Sequence, residues 1–165
     1  MWRRGNLEPS WQEKDYKEAK YTRKQANSNL VVEWKRKGYL FEEYTGLMCP
    51  VIDNVPEWMR KISKEVGLTE CGYTLYKMPP AVVMPLHVDH MEKYCKVFNT
   101  EKKDVYRCIV ALEDWQSGHY FEIEGNPIVG YKAGEYIIWS SDVEHMAANI
   151  GPNTRYTLQI TGKKL

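Results

Sequence analysis

The chain has 165 residues and a mass of 19.4 kDa, the size of one domain with little room for a second. Hydrophobic residues make up 43%, charged residues 27%, and the aromatics (6 Trp, 12 Tyr, 3 Phe) suffice to fill a core, which argues against a disordered chain. The net charge of +1 gives no global electrostatic case for a nucleic-acid partner, although residues 1–40 hold ten Lys/Arg against five Asp/Glu.

In chain order, the first segment reads as helical and polar. Ser10 stands three residues before Glu13, at capping-box spacing. The stretch WQEKDYKEAKYTRKQ follows, with good helix formers but a thin apolar stripe of Trp11, Tyr16 and Ala19. NLVVEWKRKGY forms a second short element ending at Gly38. The strongest helical signal covers 55–66, VPEWMRKISKEV. Asp53 or Asn54 can cap it, Pro56 suits its first turn, and Gly67 follows its end. Trp58, Met59, Ile62 and Val66 share one face, which we read as core.

From residue 71 the period becomes two. CGYTLYKM, VYRCIVAL, HYFEI, EYIIW and RYTLQIT are short and rich in β-branched and aromatic residues. Turn chemistry separates them, including Gly125-Asn126-Pro127, Lys132-Ala133-Gly134 and Ile150-Gly151-Pro152-Asn153. Short strands at this spacing predict a sandwich or barrel, and the lack of long helical crossovers disfavours a parallel sheet. The predicted organisation is a single, mainly β domain over 1–165: a helical N-terminal segment over 1–40, a flanking helix region over 41–70 and a β core over 71–165.

Cys49, Cys71, Cys95 and Cys108 form no C-x-x-C pair, so neither a zinc knuckle nor a dithiol redox motif is written here. MWRRGNLEPS lacks the apolar region of a signal peptide. No run approaches the roughly 18 apolar residues of a membrane span. The reading is four reduced thiols, three of them semi-buried, in a cytoplasmic protein.

All four histidines (His87, His90, His119, His145) fall between residues 87 and 145. MPLHVDH places His87 and Asp89 two apart, so in an extended strand imidazole and carboxylate point to one face. Alone, the pair is as well explained by a surface His beside a solvated Asp. His145, just after EYIIW, supplies a third donor. Two His and one carboxylate on a β-scaffold are the ligand set of a facial triad that binds Fe(II) and leaves positions open. A zinc hydrolase uses the same donors. Arg155 separates the two readings: it follows His145 by ten residues, with a tight turn between. If the chain folds back as a hairpin, His145 and Arg155 become cross-strand neighbours about 5 Å apart at Cβ. A guanidinium beside an open metal site suits a dicarboxylate that chelates at one end and takes a bidentate fork at the other.

The order His87-x-Asp89, His145, then Arg155 resembles the Fe(II)- and 2-oxoglutarate-dependent dioxygenases across roughly residues 71–162, through spaced motifs rather than a long identical run. It looks most like the aspartyl/asparaginyl β-hydroxylase-like branch, although members of that branch can lack the acidic ligand that Asp89 supplies here. Prolyl-hydroxylase-like enzymes, which often place Lys at the position of Arg155, match less well. The resemblance implies a double-stranded β-helix (jelly-roll, cupin-like) core with N-terminal flanking helices. It implies Fe(II) on His87, Asp89 and His145, 2-oxoglutarate with its distal carboxylate on Arg155, and O2 as co-reactant. It also implies cosubstrate contacts from Arg107, in VYRCIVAL, and from Tyr76 and Met78 upstream of the first His. The implied reaction is an oxidative decarboxylation to succinate and carbon dioxide coupled to hydroxylation of a C–H bond, in a peptide side chain or a small molecule.

His90 faces away from the motif in a strand and reads as a solvent or lid residue; His119 reads as a surface residue or a neighbour of the site. The polar stretch HMEKYCKVFNTEKKD (90–104) is long for a strand connection and reads as a lid, with Tyr94 and Phe98 as its contact residues. Two other functions compete: a cupin-like metal- or ligand-binding module without turnover, and a zinc-dependent hydrolase on a similar barrel. Arg155 would be idle in both.

Overall fold

A computed structural model describes residues 1–23, 28–39 and 46–165. In chain order the elements are β1 (Trp2–Asn6), α1 (Lys14–Lys17), β2 (Thr22–Arg23), α2 (Ser28–Arg36), β3 (Leu47–Val51), α3 (Glu57–Glu65), β4 (Leu68–Met78), β5 (Val82–His87), α4 (Glu92–Phe98), β6 (Val105–Ala111), β7 (His119–Ile123), β8 (Asn126–Ile128), β9 (Glu135–Ser140), β10 (His145–Asn149) and β11 (Arg155–Lys164). The strands form two antiparallel sheets. Sheet A runs β1-β9-β6-β11-β4-β3-β2 and sheet B runs β5-β10-β7-β8.

Period-two alternation divides sheet A into two faces, and each face has its own core. On β11, Leu158 and Ile160 join Leu75, Cys108, Val110 and Ile138 on the outer face, where Met59, Ile62 and Val66 of the α3 segment cover them. The opposite face meets sheet B through Met78, Ala111, Ile137 and Trp139 against Phe121, Ile123 and Ala147. Arg155 and Thr157 alternate with Leu158 and Ile160 and are both buried, so polar groups of the central strand point into the space between the sheets.

The predicted elements and the observed ones differ mainly at the N-terminus. The segment expected to be helical over 1–40 begins with a strand: β1 pairs with β9 from Trp2↔Trp139 to Asn6↔Glu135. WRRGN carries no alternating apolar signal because β1 is an edge strand, where arginines are at home. Gly5 lets the Tyr136 ring lie across the strand, where a Cβ would come within 2.5 Å of it. The expected capping box does not form. α1 is a single turn with Glu13 at its N-cap and no side-chain cap bond, as its thin stripe, reduced to buried Tyr16, allows little more. α2 matches NLVVEWKRKGY, ending before Gly38 in a left-handed conformation. α3 matches the helix expected over 55–66 but is capped by Pro56 rather than Asp53 or Asn54. The five predicted strands all form. The Gly125-Asn126-Pro127 turn is a hairpin in which Asn126 already opens β8.

Candidate metal centre

His87 ends β5 and His145 opens β10, and the two are register partners across that ladder. The pairing brings their ring centroids to 4.4 Å. Asp89 lies two residues beyond β5, outside any strand, with Oδ1 4.0 Å from His87 Nε2 and Oδ2 3.7 Å from His145 Nε2. One ligand atom from each residue falls within 4.8 Å of the others, a cluster that could hold a metal ion. Both imidazoles are oriented for it. His87 Nδ1 is 2.7 Å from the Pro85 carbonyl and His145 Nδ1 is 3.0 Å from the Val143 carbonyl. A carbonyl only accepts, so each Nδ1 carries the proton and each Nε2 lone pair faces the centre. Burial pushes the Asp89 carboxyl up, but the Arg107 guanidinium, through its charge and its hydrogen bond, outweighs it and holds it well below the usual carboxylate range. The third donor is therefore ionised throughout the neutral range.

Aromatic rings wall the centre. Trp139 lies 4.8 Å and Phe121 6.3 Å from the His145 ring, centroid to centroid. On the other side Trp34 of α2 meets His87 edge-on at 5.6 Å, and its indole N–H donates to the Leu86 carbonyl at 3.2 Å. The basic N-terminal segment thus supplies a wall of the site, a contact with no local signal in NLVVEWKRKGY.

Arg155 is 4% exposed, at the start of β11. The hairpin expected between His145 and Arg155 does not exist: β10 pairs with β5 and β7, whereas β11 pairs with β4 and β6. The 150–154 turn carries the chain from one sheet to the other. Asn149 fixes that crossing, donating to Met78 O at 2.9 Å and Asn153 O at 2.7 Å while accepting from Gly151 N at 3.0 Å. Gly151 is required because a Cβ would sit 2.0 Å from the Ser117 carbonyl. Arg155 still meets the site, across the interior. Its guanidinium is 5.9 Å from the Phe121 ring centroid and 5.9 Å from that of Tyr131, so one phenyl ring links it to His145. Its Nε donates to Tyr131 Oη at 3.1 Å, and among the described residues it has no acidic partner. It lines a cavity of about 20 Å³, room for about one water, with Tyr131, Phe121, Ile128, Ile137 and the paired Arg4 and Glu135. The three candidate metal ligands lie outside that lining, beyond Phe121.

The other expected site residues are placed as follows. Tyr76 is buried beside Arg155, opposite Thr157 in the β4–β11 ladder, and its hydroxyl accepts from Gly46 N at 2.8 Å. Burial raises its phenol, with the Gly46 bond and Arg155 opposing. Met78 pairs with Arg155 and is fully buried. Arg107 does not reach Arg155. It is the register partner of Thr161, six residues along β11, roughly 20 Å away by strand rise, and its Nε donates to Asp89 Oδ2 at 3.0 Å. Arg107, expected at the cosubstrate, meets a metal-site residue in the structure. His119 is 2% exposed rather than at the surface, its Nε2–H donating to Asn153 O at 2.9 Å. His90 pairs with Glu92 at 3.7 Å. The expected lid is mostly α4, where Tyr94 stacks on Phe98 at 4.5 Å and is tied to Glu70 O at 2.7 Å.

Residues the sequence reading missed include Tyr131 and Thr157. Among the described residues, the buried Thr157 hydroxyl and Trp139 indole N–H have no hydrogen-bond partner. Thr157 had a signal, its i+2 position on the face of Arg155; Tyr131, in the irregular connection between β8 and β9, had none.

No family profile matches the chain and no curated protein matches it. Among solved structures, a prolyl-4-hydroxylase from Pseudomonas putida aligns over 99% of this chain and 92% of its own, with a TM-score of 0.59 at 14% identity. A predicted oxalate decarboxylase from Thermotoga maritima aligns over 71% of this chain and 79% of its own (TM-score 0.45, 15% identity). The cupin domain of Schizosaccharomyces pombe Cnp3 aligns over 72% and 61% (TM-score 0.45, 10% identity). The fold is a double-stranded β-helix. At these identities the likeness is one of fold, and the branch resembling aspartyl/asparaginyl β-hydroxylases is not singled out by it. All four cysteines are free thiols. Among the described residues no helix is long and apolar enough to cross a membrane.

Proposed function

We propose that this jelly roll is an Fe(II)- and 2-oxoglutarate-dependent dioxygenase that hydroxylates a C–H bond of a peptide side chain or a small molecule, releasing succinate and carbon dioxide. The observation that carries this reading is Arg155. A buried guanidinium is costly unless an anion neutralises it, and among the described residues none does. It faces phenols, a phenyl ring, a threonine and the His119 imidazole, and the carboxylate that shares its cavity, Glu135, is paired with Arg4.

The donor set fits the implied metal. Two imidazoles presenting Nε2 and one ionised carboxylate are donors that would hold Fe(II) with positions left open. The Thr157 hydroxyl, without a partner among the described residues and on the face of Arg155, fits a carboxylate acceptor at the far end of a dicarboxylate. When bound, iron, 2-oxoglutarate and O2 supply the oxidising chemistry.

The chain's own residues hold and enclose. His87, Asp89 and His145 hold the ion; Arg155, with Thr157 and the Tyr76 hydroxyl, neutralises and orients the distal carboxylate. Trp34, Phe121 and Trp139 keep bulk water from the centre, which strengthens the electrostatic contacts inside. The test is anaerobic. Fe(II) and 2-oxoglutarate added to the full chain are expected to give the weak visible charge-transfer band of the chelate, and admission of O2 to yield succinate. Absence of the band in the native protein, or a band that survives His145→Ala, overturns the reading.

A further inference from the structure

His87 and His145 are held by a strand ladder, but Asp89 follows β5 in irregular backbone and no ladder fixes it. What fixes it comes from the opposite sheet. Arg107, on β6 of sheet A, donates from Nε to Asp89 Oδ2 at 3.0 Å, and both side chains are only 14% exposed. The guanidinium is itself held at two further points. One terminal nitrogen donates to Thr161 Oγ1 on β11, and the other lies 3.6 Å from Met91 Sδ, in the residue that caps α4 in a left-handed conformation. Every nitrogen of the fork is thereby engaged, and the arginine ties the Asp89 loop and the head of α4 to sheet A.

We infer that Arg107 is a positioning residue for the metal centre: a cross-sheet clamp that holds Asp89 through Oδ2 and fixes the orientation of its carboxylate toward His87 and His145. This rests on the metal-binding reading above. The chemistry follows from the geometry. A free carboxylate offers two equivalent oxygens and can chelate or rotate away; one oxygen engaged by a buried charge-assisted bond removes that freedom. Outer contacts of this kind typically change metal affinity by about 10- to 100-fold when lost. Arg155, across the interior, has no contact with Asp89 and should not share the effect.

The experiment is Mn(II) binding to the full chain, followed by electron paramagnetic resonance, without cosubstrate or turnover. Arg107→Gln is expected to weaken Mn(II) binding about 10- to 100-fold, Arg107→Lys to restore part of it, and Arg155→Gln to leave it unchanged. In an Asp89→Asn background, Arg107→Gln should add little, because the clamp acts only through that carboxylate. A structural role predicts additive losses instead. Wild-type affinity in Arg107→Gln, or the same loss with and without Asp89, overturns the inference. Failure of the native chain to bind Mn(II) would instead remove the metal reading itself. If Arg107→Gln does not fold, Thr161→Val, which frees one prong and keeps the charge, is expected to weaken Mn(II) binding several-fold; wild-type affinity there overturns the clamp.

Discussion

Replacing Arg155 by methionine separates a ligand-binding cation from a structural one. If Arg155 takes the distal carboxylate of 2-oxoglutarate through two charge-assisted bonds of about 1.5–2 kcal/mol each, its loss removes about 3–4 kcal/mol, roughly 100- to 1,000-fold in Kd. The ligand-free protein should respond in the opposite sense. It loses one hydrogen bond, Nε to Tyr131 Oη at 3.1 Å, and two ring contacts at 5.9 Å, but is relieved of a cation that is 4% exposed and without an acidic partner among the described residues. Apolar replacement of buried charge is often neutral or stabilising by about 1–4 kcal/mol. At about 2–4 °C per kcal/mol for a chain of this size, the ligand-free Tm should be unchanged or several degrees higher. Calorimetric titration with 2-oxoglutarate in the presence of Mn(II), paired with a thermal melt without either, reads both effects. A variant that melts several degrees lower and binds 2-oxoglutarate normally would refute the reasoning.

Thr157→Val removes a buried hydroxyl that has no partner among the described residues; ligand-free stability should rise by about 1 kcal/mol while 2-oxoglutarate binds about 5-fold more weakly, measured by the same pair of assays. Mn(II) at about 100 times its Kd should raise Tm by about 5–10 °C, an effect of about 2.7 kcal/mol, reversed by a chelator and absent in His145→Ala. Burial, opposed by the Asn153 bond and aided by the Arg155 charge, holds the His119 imidazole below its ordinary value, about 6.5. As pH falls the unfolded chain takes up that proton first, so this contribution to stability is complete above about pH 6.5 and lost below it. His119→Gln should flatten the acid side of the stability profile in denaturant titrations between about pH 7 and pH 5.

The strand content of this protein was legible because period two is a local property: CGYTLYKM, VYRCIVAL, HYFEI, EYIIW and RYTLQIT all lie in strands. So was the choice of donors. His87, Asp89 and His145 carry lone pairs wherever they stand, and a double-stranded β-helix is consistent with their spacing. What sequence could not supply is which surface each side chain meets. The turn at Ile150–Asn153 reads equally well as a hairpin and as a crossing between sheets. The structure chooses the crossing because Asn149 satisfies its amide on Met78 of the other sheet, a bond between residues 71 positions apart. Arg107 faces the interior in either reading, but its partner is set by a through-space distance to Asp89. β1 and Trp34 escaped notice for the same reason, since an arginine-rich edge strand and a helical tryptophan take their roles from β9 and His87. Local chemistry determined which residues could act at this centre; only the packing of one sheet on the other decided which of them meet.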